Sequence, residues 1–137
     1  MRKHVLTDQS GFTLMEILIV EDENTTRAMI VSGLENAGYQ VFEAKNGETG
    51  YQIARSIRPS LVVSDVVMAQ MDGNQLIKKL RSSEFGKDIL FIVLTSRGTM
   101  KDYFEMMDVD DFIAKPFDMA DFLARVERVL EKTRESE

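Results

Sequence analysis

Short apolar runs alternate along this chain with longer segments of helical period. The runs are EILIV at 16–20, LVVS at 61–64, DILFIVL at 88–94 and the FIA of DDFIA at 112–114. Each is brief and rich in Ile, Val and Leu, so length favours strands over core helices. Strand one is read as Glu16–Val20, strand two as Gln40–Ala44, strand three as Leu61–Ser64, strand four as Ile89–Leu94 and strand five as Phe112–Ala114. Strands one, three and four are almost uniformly apolar, as parallel strands covered on both faces are. Strand two is more polar and is placed at a sheet edge.

Between the runs the apolar period lengthens. A first helix is expected over about Thr25–Ala37, with Met29, Ile30, Gly33, Leu34 and Ala37 inward and Gly38 ending it. A second covers about Glu48–Ile57, with Ile53, Ala54 and Ile57 inward, and stops at Pro59. A third carries Leu76, Ile77 and Leu80 inward. A weak fourth spans about Thr99–Met107. A fifth covers about Met119–Lys132, capped by Asp118, with Phe122, Leu123, Val126, Val129 and Leu130 inward. Regular alternation of strand and helix predicts an α/β domain.

The organisation follows from length. At 137 residues the chain holds one domain with a sizeable core. Residues 1–14 are expected as a flexible arm, 15–133 as the domain and 134–137 as a tail. The segment SGFTLMEILIV resembles a prepilin processing site, but its apolar run stops at Val20, well short of the roughly 20 residues a bilayer span needs. No transmembrane segment is expected elsewhere.

Composition removes several function classes. The net charge of −6 argues against nucleic-acid binding by charge alone. The chain has no cysteine, so disulfides, thiolate metal sites and a thiol nucleophile are excluded, and a cytoplasmic setting is expected. The lone histidine, His4, lies in the arm with nothing organised around it.

What remains is a constellation. Glu21, Asp22, Asp65, Thr95 and Lys115 each follow the carboxyl end of a predicted strand. In an open parallel sheet those ends gather along one edge, where such sheets bind ligands. Three carboxylates, a hydroxyl and an amine there suggest a divalent cation and a phosphoryl group. Asp65 would be the nucleophile that forms an aspartyl-phosphate. Glu21 and Asp22 would supply a hard oxygen site suited to Mg²⁺. Lys115 would add a point charge and Thr95 a hydroxyl donor to the phosphoryl oxygens. Singly, each is as readily a cap, turn or solvated residue. Together they form a site hypothesis.

The segments ILIVEDE (17–23), LVVSDVVMAQMDG (61–73), ILFIVLTS (89–96) and DDFIAKPF (110–117) carry a specific resemblance over about Met15–Thr133. The chain resembles the receiver domain of two-component response regulators. The resemblance implies a flavodoxin-like, doubly wound five-stranded parallel sheet in the order 2-1-3-4-5, with five helices. Asp65 is then the phosphoacceptor and Asp22 a direct Mg²⁺ ligand. Glu21 holds the metal, often through water, and the backbone carbonyl of Val67 is a further ligand. Thr95 matches the switch hydroxyl, Lys115 the phosphate-binding lysine and Phe112 the aromatic switch position. The Lys115–Pro116 bond is expected cis, and Val67 and Arg97 flank the path of the hydrolytic water. Implied partners are a sensor histidine kinase or histidine phosphotransfer protein as donor, and a downstream protein effector reading the face of the fourth helix, fifth strand and fifth helix. Neither nucleic acid nor membrane is a direct partner, and a homodimer on phosphorylation is compatible with the pattern. The domain would catalyse only its own modification and slow hydrolysis.

The chain departs from the family pattern at Ala69, where a proline is usual, and at Asp108-Val109, where Gly-Ala is common. The stretch from Thr95 to Lys115 is also about two residues short. These departures bear on the fourth helix and the output surface, not on the five chemical residues. Two other classes fit parts of the pattern. An aspartate-nucleophile phosphatase would want a second acid where Val67 stands. A pseudo-receiver would bind without accepting phosphate. The chain is also compatible with a receiver cut from a longer regulator or hybrid kinase.

Overall fold

The structure is a computed structural model, and it describes residues 6–7, 13–65, 73–96 and 108–135. Five strands form one sheet: β1 (Glu16–Val20), β2 (Gln40–Ala44), β3 (Leu61–Asp65), β4 (Leu90–Thr95) and β5 (Asp111–Ala114). Four helices lie among the described residues: α1 (Asn24–Asn36), α2 (Gly47–Ile57), α3 (Gly73–Arg81) and α4 (Met119–Glu135). The helix expected at about Thr99–Met107 lies outside them. Within the segment read as an arm, Leu6–Thr7 pairs antiparallel with Thr13–Leu14 as a separate two-stranded sheet.

The main sheet is parallel throughout, in the order β2-β1-β3-β4-β5. This is the doubly wound order 2-1-3-4-5 that the resemblance implies, and the polar β2 occupies an edge as its composition predicts. Strand alternation divides the core into two layers. Ile17, Ile19, Leu61, Val63, Ile92 and Leu94 face Ile30 and Leu34 of α1 and Phe122, Val126 and Val129 of α4. Leu18, Val20, Val62, Phe91 and Val93 face Ala54 of α2 and Leu76, Ile77 and Leu80 of α3. Burying each large side chain contributes about 1.5–3 kcal/mol, enough to offset the roughly 1–2 kcal/mol of backbone entropy lost per ordered residue. Central strands that are largely apolar and buried along their length therefore hold the sheet together.

Element ends follow local chemistry. Glu23 caps α1, accepting from Thr25 N at 3.1 Å and Thr26 N at 2.7 Å, and also from the Thr26 hydroxyl. Gly38 leaves that helix at φ 99°, a conformation open to glycine without a Cβ clash. Asn46 Oδ1 accepts from Thr49 N at 2.8 Å and caps α2. At its far end Arg58 takes φ 49° ahead of Pro59, whose ring disfavours helical backbone in the preceding residue. Phe122 N donates to Asp118 O at 2.9 Å, placing Asp118 at the start of α4 as expected.

The structure corrects the sequence reading in three places, two on helix faces and one at the strand ends. Met29 is 48% exposed and Ala37 is exposed, so neither belongs to the inner stripe of α1. That stripe runs Arg27, Ile30, Leu34, three and four residues apart, with the charged Arg27, not among the residues expected inward, buried in it. In α2, Ile53 packs half-buried against the core as expected, Ile57 is only half-buried, and Gly47 and Gly50 are buried. A Cβ at Gly50 would stand 2.8 Å from Val20 Cγ2, so glycine lets α2 approach β1 closely. The third correction concerns strand ends: Asp65 and Thr95 are the last residues of β3 and β4, not the first residues beyond them.

Candidate phosphoryl-transfer and metal site

Parallel strands of matched register bring Glu21, Asp65, Thr95 and Lys115 to the same edge of the sheet. Val20 pairs with Ser64, Asp65 with Leu94 and Thr95 with Ala114. Each chemical residue therefore ends or follows a strand within one residue of its neighbour's level. The ladder continues one step past β1, where Glu21 N donates to Ala44 O at 3.0 Å. Past β5 it continues where Lys115 N donates to Thr95 O at 2.7 Å.

Lys115 is the hub. Its Nζ donates to Glu21 Oε1 at 2.7 Å and to Asp65 Oδ2 at 2.5 Å. The Lys115–Pro116 bond is cis. Glu21 is fully buried, and its second oxygen accepts from Glu23 N at 3.1 Å. Asp65 and Thr95 are buried and Asp22 is exposed. One carboxylate oxygen from each of Glu21, Asp22 and Asp65 lies within 4.8 Å of the others. Ser64 Oγ donates to the Asp65 carbonyl at 2.9 Å and steadies the strand end that carries it.

The electrostatics follow from this packing. Burial pushes the Glu21 carboxyl above the usual range, partly opposed by the hydrogen bonds from Lys115 and from Glu23 N, while the Asp65 charge reinforces the rise. Burial alone would lower the Lys115 ammonium. Its hydrogen bonds to Asp65 and Glu21 outweigh that and raise it, so the amine stays charged. One lysine bonded to Glu21 and Asp65, with the Asp22 carboxylate beside them, leaves a local excess of negative charge on an oxygen-only donor set. Such a set suits a small hard cation.

The sequence-predicted residues Glu21, Asp22, Asp65, Thr95 and Lys115 thus stand at one edge. Val67 and Arg97 lie outside the described residues. Phe112 is half-buried against the layer formed with α2 and α3. The sequence reading missed Arg27. Its Nη1 donates to the Glu21 carbonyl at 2.8 Å, its Nη2 to Asn24 Oδ1 at 2.7 Å, and its Nε to Glu43 Oε1 at 2.9 Å. A signal was present: Arg27 falls in helical register with Ile30 and Leu34, where a charge must find partners.

Comparison with known proteins identifies the family. Residues 17–127 match the family model of the response regulator receiver domain. The chain is 38% identical over 120 residues to the probable transcriptional regulatory protein SilR of Salmonella typhimurium, covering 86% of this chain and 52% of SilR. It therefore spans about half the length of that relative. Among solved structures, the signal receiver domain of a signal transduction histidine kinase from Syntrophus aciditrophicus is 34% identical, with a TM-score of 0.81 over 90% of this chain and 95% of that one. The response regulator protein TrrA of Thermotoga maritima, in complex with Mg²⁺ and BeF, is 25% identical, with a TM-score of 0.78 over 85% of this chain and 99% of that one. No described helix is long and apolar enough to cross a membrane. With the match spanning most of the chain and the sheet in the doubly wound order, this protein belongs to the response regulator receiver domain family.

Proposed function

We propose that this receiver domain accepts a phosphoryl group onto Asp65 from a phosphohistidine on a sensor histidine kinase or phosphotransfer protein, in a Mg²⁺-dependent reaction. One observation carries the reading: the Lys115 amine bridges Asp65 and buried Glu21 beside Asp22, with the three carboxylates gathered within 4.8 Å. A lone structural ion pair would not need the additional acids.

The donor set fits Mg²⁺, since every candidate side-chain ligand is a carboxylate oxygen. Asp22 and Asp65 would hold the ion directly, Glu21 would hold it through water, and the Val67 carbonyl would complete the protein ligands. When bound, Mg²⁺ would supply positive charge against the incoming phosphoryl oxygens. The remaining chemistry belongs to the chain. An Asp65 carboxylate oxygen attacks phosphorus and the bond from phosphorus to the donor imidazole breaks; the donor ring, already protonated at its other nitrogen, keeps the bond's electron pair and leaves as neutral imidazole. Lys115, which holds Asp65 in place beforehand, turns its ammonium to a phosphoryl oxygen as charge moves outward. The Thr95 hydroxyl donates to another. Rate enhancement comes from positioning and fixed charge rather than from a proton-transfer residue.

Signal output would follow from the same atoms. Thr95 moving toward the phosphoryl group would let the Phe112 ring turn inward and change the surface beside β5 and α4, which a protein effector reads. Ion pairs fasten that side: Arg125 to Asp111 at 3.1 Å and Lys132 to Asp110 at 2.9 Å. The acidic balance gives nucleic acid no charge attraction. A homodimer formed on phosphorylation and a cytoplasmic setting belong to the same reading.

The test is incubation with a small phosphodonor such as acetyl phosphate, with and without Mg²⁺. One phosphoryl group per chain on the peptide containing Asp65, only with the metal, supports the proposal. Repeated turnover of phosphate esters without a trapped acyl-phosphate would identify a phosphatase instead.

A further inference from the structure

Arg27 is buried in the inner stripe of α1 and is not one of the five residues that define the site. A buried guanidinium is costly unless its donors are paired. Here all three nitrogens are, and the pairing has a direction. Nε meets Glu43 on β2, and Nη2 meets Asn24 at the start of α1. Between these two anchors, Nη1 is presented to the Glu21 carbonyl.

That carbonyl lies at a gap in the ladder. The paired residues of β1 end at Val20, and Glu21 N makes the last backbone bond to β2, at Ala44 O. The next peptide plane contains the Glu21 carbonyl and the Asp22 nitrogen. Because a peptide unit is planar, fixing its carbonyl fixes the direction in which Asp22 departs. Asp22 is exposed. Its carboxylate can join Glu21 and Asp65 only if the turn delivers it there.

We infer that Arg27 is a positioning residue for the cation site: its guanidinium, anchored on Asn24 and Glu43, holds the Glu21–Asp22 peptide so that both carboxylates converge with Asp65. The inference rests on the proposed Mg²⁺ site but concerns a residue outside it. Lysine cannot replace this fork, because one ammonium on a flexible stem cannot present three donors in a plane.

Charge and position predict opposite effects. Arg27 is a cation near an acidic cluster, so if its charge alone mattered, Arg27→Gln would tighten Mg²⁺ binding. If it positions the turn, Arg27→Gln weakens binding, and Arg27→Lys, which keeps the charge, weakens it as well. Supporting residues around metal ligands typically change affinity by about tenfold or more, and about a tenfold loss is expected here. The experiment is calorimetric titration of Mg²⁺ into the full chain and the two variants, with circular dichroism confirming the fold. Asn24→Ala serves as the variant whose folding is not at issue, since Asn24 is exposed and the change alters no charge. It removes one anchor of the guanidinium and is expected to produce a smaller loss in the same direction. Unchanged or tighter binding in a folded Arg27 variant overturns the inference. If neither Arg27 variant folds, unchanged binding in Asn24→Ala overturns it. Failure of the unaltered chain to bind Mg²⁺ is a separate outcome: it overturns the proposed function, and the positioning role falls with it.

Discussion

Lys115 Nζ lies 2.5 Å from Asp65 Oδ2, joining the ends of β5 and β3 across 50 residues of sequence. The same amine holds Glu21 at 2.7 Å, so one cation serves two buried carboxylates. The arrangement is both a fastening and a functional site, and the two roles make separate demands on the same atoms.

Removing the shared cation should destabilise the metal-free domain. Lys115→Met leaves buried Glu21 and Asp65 facing each other without compensation, at a cost of about 3 kcal/mol. Asp65→Asn removes one of the two charges that need Lys115. The lysine substitution should then cost at least about 1 kcal/mol less in the Asp65→Asn background than in the unaltered chain. Urea unfolding of the four proteins in chelator-treated buffer measures the coupling. Strict additivity would show that the contact carries no energy.

Added Mg²⁺ should raise the melting temperature, because a ligand that binds only the folded state stabilises it by mass action. At a concentration about 100 times the dissociation constant the gain is about 2.7 kcal/mol. Asp22→Ala should remove most of that gain while leaving the metal-free melting temperature nearly unchanged, since Asp22 is exposed. An undiminished Mg²⁺ shift in this variant would place the cation elsewhere.

Gly50→Ala should destabilise the protein despite alanine's better helix propensity. Propensity favours alanine by about 1 kcal/mol. The new Cβ would press on fully buried Val20 at 2.8 Å, and overpacking of this kind costs about 1–3 kcal/mol. A net loss of about 1 kcal/mol is expected in thermal unfolding. A stabilised variant would mean that α2 slides away from β1 more easily than the packing implies.

Much of this architecture was legible in the chain because its signals are local. Apolar runs such as LVVS are too short for helices and too uniform for exposed strands, so the elements and the polar edge strand could be read directly. Strand ends moved by a residue, since ladder bonds, not composition, decide whether Asp65 or Thr95 is still paired. The stripe of α1 was misread at Met29 and Ala37 because a helix with a weakly apolar face offers several plausible registers. The choice was made by Arg27, whose partners on β2 and at the head of its own helix cannot be seen from a propensity pattern. The five chemical residues were legible for a different reason: parallel topology turns positions after strands into neighbours in space. The bridging role of Lys115, in contact with both Glu21 and Asp65, required the geometry.

Signalling as proposed depends on Asp65 acting as a metal-dependent phosphoacceptor. The most direct measurement is transfer of labelled phosphate from a phosphohistidine donor to the unaltered chain and to Asp65→Asn, each with Mg²⁺ and with the metal chelated. Stoichiometric, alkali-labile labelling is expected of the unaltered chain with Mg²⁺, and essentially none in the other three reactions. Equal labelling of Asp65→Asn, or labelling indifferent to the metal, would contradict that role.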